Sequence, residues 1–312
     1  MPNTNENLHL AKLKKLDEFY TRIEDIEAEL KHYRTYFQNK CIFCNCDDPE
    51  YSNFWKYFKL NFDFLNLKEL IATHYDREKP SYSLRLCKGM NVSKNEPISK
   101  KLEQNGDFRS PEAIEVLKSA DIVVTNPPFS LFREFIKQLI SYNKKFIVLG
   151  NINAVTYKEI FPLIKEDKMW IGQSIHSGDR EFIIPQKYHN LLKYSKVNDK
   201  GQNTVRIKGV RWFTNLDIRK RHEKLILYKH YTPEEYPKYD NYDAINVDKV
   251  ADIPCDYDGI MGVPITFLDK YNPEQFEIVG NLGAYGIGNY SLCGSIYVKR
   301  KEKFKRIAIK RR

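Results

Sequence analysis

The run Asp121-Ile-Val-Val-Thr-Asn126-Pro127-Pro128-Phe129 carries the clearest chemistry in the chain. Four β-branched residues, good strand formers, lead directly into an Asn-Pro-Pro-aromatic turn. Two consecutive prolines fix φ and remove two N–H donors, so the strand must end there in a rigid, exposed turn at its carboxyl end. The Asn126 side-chain oxygen and the Pro127 carbonyl can each accept a hydrogen bond from an exocyclic NH2 group. Such bonds draw the nitrogen lone pair out of conjugation with its ring and prepare it to attack an electrophilic methyl group. Phe129 offers a face on which that ring can stack, and Pro128 holds the turn. No titrating base is needed, because the methylated nitrogen is transiently cationic and sheds its proton readily. These four residues are therefore the catalytic candidates, and amine methylation is the chemistry they suit.

The elements that must position this turn follow from periodicity. Ile23, Ile26, Leu30, Tyr33 and Phe37 recur at three- and four-residue steps and predict a helix over about 22–38. A β run at Cys41–Cys46, an aromatic helix near Ser52–Phe58 and a strand near Leu70–His74 come next. Helices near Pro111–Ser119 and Leu131–Tyr142 then alternate with buried strands at Ile122–Thr125 and Phe146–Leu149. This alternation predicts an α/β fold, a mostly parallel sheet with helices on both faces, whose ligands bind at the carboxyl ends of the strands. Residues 76–105 read as a loop or hairpin insertion. Beyond about Asp167 the pattern turns β-rich, with strands expected at Val205–Phe213, Leu225–Lys229, Gly262–Leu268, Phe276–Val279 and Phe304–Ile309.

Composition narrows the partners. At 312 residues the chain has roughly two domains' worth of sequence, and its 51 Lys and Arg against 41 Asp and Glu leave a formal net charge of +10, which favours a polyanionic partner. The charge is unevenly placed. Lys187–Lys224 carries eleven basic and three acidic residues, Lys299–Arg312 nine and one, and the intervening Pro233–Asp258 two and eight. The basic blocks suit phosphates, with Arg206, Lys208, Arg211, Arg219, Lys220 and Arg221 as candidates for phosphate or base-edge contacts in a nucleic-acid partner; a merely solvated face is the alternative. The longest nearly apolar stretch, Gly259–Leu268, is about half the ~18 residues of a membrane span and contains Pro264. The amino terminus lacks the apolar core of a secretion signal, and six cysteines are too few for a disulfide framework, so a cytoplasmic protein with reduced thiols is expected. Cys41, Cys44 and Cys46 lack a second Cys/His pair to complete a zinc site, so no metal is expected.

Taken in order, several blocks resemble the EcoRI-type DNA N6-adenine methyltransferase family of restriction–modification systems. They are Asp17-Glu-Phe-Tyr-Thr21, Cys44-Asn-Cys-Asp-Asp-Pro49, Gly106-Asp-Phe-Arg-Ser110, the Asn126 turn, Tyr239-Asp-Asn-Tyr-Asp-Ala-Ile-Asn246, Gly262-Val-Pro-Ile-Thr-Phe-Leu268 and Asn272-Pro-Glu-Gln-Phe276. The resemblance implies a Rossmann-like class I methyltransferase sheet and S-adenosylmethionine as donor. It implies that Phe19, Tyr20 and Thr21 lie near the methionine end of that donor. It further implies that Asp47, Asp48 and Pro49 face its amino group, and that Asp107 and Phe108 hold its adenine. The glycine-rich turn usual after the first strand is replaced here by Cys-Asn-Cys-Asp-Asp-Pro, and Asp76 is a candidate for gripping the ribose, with a solvated loop residue as the alternative.

These readings combine into an expected organisation. Residues 1–168 form the cofactor-binding catalytic domain, 169–258 a β-rich DNA target-recognition insertion, and 259–312 C-terminal strands that complete the catalytic sheet and end in a basic tail. Adenine N6 lies inside the duplex stack, so the target base must be flipped out of double-stranded DNA. The chain is expected to act as a monomer, with a cognate restriction endonuclease as a partner in function and no membrane partner. Two alternatives stand beside this: a methyltransferase of RNA or protein glutamine, and a DNA-binding protein that has lost catalysis.

Overall fold

Ile122–Thr125 is a strand with all four residues buried, and so is Cys41–Cys44, as central strands covered on both sides require. In the computed structural model, which describes residues 19–46, 48–75, 81–89, 96–186, 195–283, 291–292 and 294–312, the chain divides into two compact units. The first comprises Met1–Asn151 with Ser177–Leu216, the second Ile152–His176 with Asp217–Arg312.

Seven strands of the first unit lie in the order Ile98–Lys101, Tyr82–Cys87, Glu69–Thr73, Cys41–Cys44, Ile122–Thr125, Lys145–Asn151 and Val210–Thr214. The middle four run parallel to one another. The outer three pair antiparallel, so the sheet is mixed rather than mostly parallel. The expected loop or hairpin over 76–105 supplies two of those outer strands, because an antiparallel return needs only a short connection whereas a parallel one needs a crossover.

The connecting helices follow local sequence. Ser110 caps Pro111–Ser119 by accepting the Ala113 N–H, with Pro111 in the first turn, and Ser52 caps Asn53–Leu60 by accepting the Phe54 N–H. Phe132–Ser141 buries Phe132, Phe135, Ile136 and Leu139, an i, i+3, i+4, i+7 stripe in which each side chain contributes about 1.5–3 kcal/mol. The helix expected over 22–38 is observed as Ile23–Leu30 and Arg34–Phe37, joined by a tighter turn at Lys31–Tyr33.

The predicted strand 205–213 is two strands in different sheets. Gly209, at φ +72°, breaks it into Asn203–Lys208 and Val210–Thr214. Asn203–Lys208 joins Tyr20–Thr21, Asp179–Ile183 and Lys196–Val197 in a four-stranded antiparallel sheet of the first unit. Residues 169–258 are thus shared between both units rather than forming one insertion.

The C-terminal strands do not complete the catalytic sheet. Met261–Pro264, Phe276–Leu282 and Arg306–Arg311 pair with one another and with Tyr242–Asn246 in a separate sheet of the second unit. Within 262–268 the strand stops at Pro264, and Ile265–Lys270 is a 3-10 helix. No strand forms at Leu225–Lys229 beyond a single bridge between Lys229 and Pro254. At Leu225 the Gln275 side chain satisfies both the N–H and the carbonyl, taking the place of a neighbouring strand. No helix among the described residues is long and apolar enough to cross a membrane.

Candidate active site

Along the sheet of the first unit, Cys41–Cys44 lies between Glu69–Thr73 and Ile122–Thr125, which both follow it in sequence. The chain order therefore reverses between Cys41–Cys44 and Ile122–Thr125, and in an open α/β sheet the crevice at that reversal is where ligands bind. The loops leaving the two strands flank it, and the Thr125 hydroxyl ties them together by donating to the Asn45 carbonyl.

Asn126 sits at this crevice, buried, with its amide held in one orientation. Its Nδ2 donates to the Phe19 carbonyl at 2.5 Å, while its Oδ1 is buried and has no hydrogen-bond partner. An unpaired buried acceptor costs about 1–3 kcal/mol, a penalty that an incoming N–H donor would remove. Pro127 is buried, Pro128 half-buried, and the Pro128 carbonyl accepts the Leu131 N–H to close the turn. Phe129 is half-buried, stacked 28° from the Phe19 ring with centroids 6.3 Å apart. Phe182, buried on the neighbouring antiparallel sheet, meets both rings edge-on at 6.1 and 6.3 Å. Sequence reasoning missed Phe182, whose only local signal is a place in the alternating strand Asp179–Ile183.

Of the residues implied for the cofactor, Phe19 meets the Asn126 turn directly, and Thr21 follows in a short strand paired with Asp179–Ile183. Besides the Phe19 contacts, Thr21 has a buried hydroxyl without a partner, and Tyr20 packs 6.0 Å from the Tyr51 ring. Asp47, Asp76, Asp17 and Glu18 lie outside the described residues. Asp48 accepts a hydrogen bond from the Tyr82 hydroxyl at 2.9 Å and pairs with His74 Nε2 at 3.4 Å, and the His74 and Tyr82 rings stack 5.0 Å apart. Burial and the Asp48 carboxylate push the Tyr82 hydroxyl upward, which keeps it a donor. Pro49 is buried beside this group. His74, Tyr82 and Asn45 were not singled out by sequence, because they are brought to Asp48 and Thr125 only by strand pairing.

Asp107 is engaged differently from the expectation. Arg109 donates to both of its oxygens, through Nε at 2.9 Å and Nη2 at 2.7 Å, and also reaches Glu134. Hydrogen bonding to Asp107 is the main cause that raises the Arg109 guanidinium above its usual value. Phe108 is buried edge-on against Phe135, with Arg109 over its ring. Gly106, at φ +72°, carries this loop against the end of Glu69–Thr73, where a Cβ would lie 1.9 Å from the His74 carbonyl oxygen, so only glycine fits.

The comparisons decide the family. The model of the adenine-specific methyltransferase EcoRI family matches residues 7–312. The chain belongs to that family. It is 50% identical over 290 residues to the type II methyltransferase M.EcoRI of Escherichia coli, covering 88% of this chain and 89% of the relative. It is 44% identical over 276 residues to M.MgeORF184P of Mycoplasma genitalium, covering 86% and 84%. With M.MpnI of Mycoplasma pneumoniae it shares 40% identity over 319 residues, covering 97% of each. No solved structure matches. The protein is an adenine-specific DNA methyltransferase.

The six basic residues singled out in this methyltransferase meet different fates. Arg206 and Lys208 are exposed and, with Arg22 and Arg180, line an open groove of about 490 Å³ in the first unit, where Asp179 and Glu181 offset part of the charge. Arg211 departs from the expectation of a surface contact: only 3% exposed, it donates to the Val210 carbonyl, because its strand is the one that joins the main sheet. In the second unit, Arg219 is exposed, and Lys220 lies 2.9 Å from His176 Nδ1. Arg221 is stacked 3.8 Å over Trp170 and bonded to Asp167 at 2.6 Å, so its cation serves packing.

Proposed function

We propose that the enzyme transfers a methyl group from S-adenosylmethionine to N6 of an adenine flipped out of duplex DNA. The observation that carries the reading is the Asn126 amide, fixed by Phe19 and presenting a buried acceptor with no partner. An exocyclic N–H donated to Oδ1, with the Pro127 carbonyl as second acceptor, leaves the nitrogen lone pair free to attack. After transfer the nitrogen loses its extra proton, so no side chain has to act as base. Phe129 receives the adenine ring, braced from behind by Phe19 and Phe182. A poised acceptor of this kind speaks against a chain that has lost catalysis.

The residues present fit the donor. When bound, S-adenosylmethionine supplies an electrophilic sulfonium methyl. Buried side-chain atoms without partners recur where the central strands end and at the segments beside them, in Thr21, Asn45, Thr73, His74 and Ser81, and a ligand rich in both donors and acceptors would satisfy them. Asp48 suits the amino group, and Asp107 and Phe108 the adenine, provided Arg109 shares the Asp107 carboxylate. The exposed Arg206 and Lys208 of the first unit supply DNA-facing charge in this proposal. The enzyme acts as a cytoplasmic monomer alongside an endonuclease that cuts the same site.

The test supplies duplex DNA and methyl-labelled S-adenosylmethionine, then digests the product to nucleosides. Label should be recovered as N6-methyladenine, and a mispaired target adenine should be bound more tightly than a paired one because it costs less to extrude. Label in another base, in single-stranded RNA or in protein would overturn the reading.

Phosphate contact by Arg206 and Lys208 leads to a separate expectation. Each neutralised phosphate contributes about 0.9 to the slope of log affinity against log salt, so Arg206→Gln with Lys208→Gln should flatten it by nearly twice that amount. An unchanged slope, measured by fluorescence anisotropy on duplex DNA, returns both to a solvated face. Arg211→Gln should leave the slope alone.

A further inference from the structure

In the second unit, His230, Cys255 and Asp256 bring an imidazole, a thiol and a carboxylate together, with one donor atom from each lying within 4.8 Å of the others. His230 Nδ1 is 2.9 Å from an Asp256 carboxylate oxygen and 3.8 Å from Cys255 Sγ. A tetrahedral zinc ion, with nitrogen and oxygen at about 2.0 Å and sulfur at about 2.3 Å, spaces its ligands about 3.3–3.5 Å apart. The two His230 distances lie within about 0.4 Å of that spacing, and Cys255 and Asp256, at most 4.8 Å apart, close the rest when an ion binds.

The two segments that carry these residues are locked together without any ion. Lys229 and Pro254 form a bridge, and the Cys255 N–H donates to the Lys229 carbonyl at 2.8 Å. One Asp256 oxygen accepts the Tyr231 N–H at 2.8 Å, which leaves the other turned to His230. A carboxylate ligand oriented by a second hydrogen bond is the usual arrangement in metal sites. Tyr231 and Tyr257, each next to a cluster residue, pack 4.6 Å apart and brace the same pair of segments.

We propose that His230, Cys255 and Asp256 bind one divalent cation of the zinc class, with water in the fourth position. Mixed nitrogen, sulfur and oxygen donors suit zinc or cobalt, whereas magnesium and calcium take oxygen ligands. Two other thiols compete poorly: Cys41 and Cys87 both donate to Glu69, and burial with that carboxylate pushes them up to about 12 and about 11. The sequence expectation of no metal was drawn from Cys41, Cys44 and Cys46, and the present cluster was invisible to it because His230 and Cys255 stand 25 positions apart, far outside the spacing of a paired metal motif. The site does not depend on the methyl-transfer reading.

Cobalt(II) titration of the full-length, reduced and chelator-treated protein tests the proposal directly. One equivalent should give a thiolate-to-cobalt charge-transfer band in the near ultraviolet, and added Zn2+ should bleach it. Cys255→Ser should abolish the band. His230→Ala and Asp256→Asn should each weaken Co2+ by about 100-fold or more, beyond the 10–100-fold typical of losing a group that only orients a ligand. Circular dichroism identifies any variant that fails to fold, and the others then decide. Absence of the band in the wild type, its survival in Cys255→Ser, or affinity untouched by both His230→Ala and Asp256→Asn overturns the site.

Discussion

Asn126→Ala is expected to lower turnover by on the order of 100-fold or more while leaving S-adenosylmethionine affinity within a few-fold of wild type. Loss of one preorganised polar group at the reacting atom costs about 2.7–4 kcal/mol in barrier height, and the Pro127 carbonyl alone then accepts from the amine. The substitution also removes the hydrogen bond to the Phe19 carbonyl. That bond contributes about 1 kcal/mol to folding, so the protein should remain folded. Single-turnover kinetics with labelled donor, set beside calorimetric cofactor titration, separate the two effects. Methylation at the wild-type rate would remove Asn126 from catalysis, and equal losses of turnover and cofactor affinity would make it a cofactor ligand instead.

Phe182→Ala should destabilise the protein by about 3–5 kcal/mol, the range for deleting a fully buried Phe side chain. The ring is 1% exposed and edge-packed on both Phe19 and Phe129. Its loss opens a cavity directly behind the surface proposed to receive the base. Phe182→Leu refills most of that volume but removes the aromatic edge contacts, worth about 0.5–1.5 kcal/mol each beyond area burial. Urea unfolding midpoints measure both variants. A shift of under about 0.5 kcal/mol for Phe182→Ala would place the ring outside the packed core. If Phe182→Leu is nearly as stable as wild type yet methylates slowly, the ring's role is to position Phe129.

The Asn126 turn was legible because its chemistry is local. A β-branched run, two prolines and an amide are contiguous, and the structure shows the strand and its abrupt end where expected, but the turn is buried at Asn126 and Pro127 rather than exposed, because the Phe19 segment packs on it. The capped helices at Asn53–Leu60 and Pro111–Ser119 were legible for the same reason. The Arg109 clamp on Asp107 was not: two residues along the chain Arg109 folds back and donates to both of its oxygens. Arg211 and Arg221 read as surface cations, yet one is buried in the main sheet and the other is clamped between Trp170 and Asp167. Side-chain partners distant in sequence leave no periodic trace.

By itself the sequence determined the alternation of helix and strand in the first 150 residues, the family, and the residue proposed to present the acceptor. These depend on backbone preferences and short motifs, which act over a few residues. Only the tertiary structure decided which strands pair. It sent the two halves of 203–214 to different sheets through one glycine, and it paired the C-terminal strands in a sheet of their own rather than with the catalytic one. It also brought Phe19, Phe129 and Phe182 into one aromatic group, and His230 to Cys255 and Asp256. Pairing between strands far apart in sequence depends on edge availability and shape across the whole chain, and the pattern of any single segment contains neither.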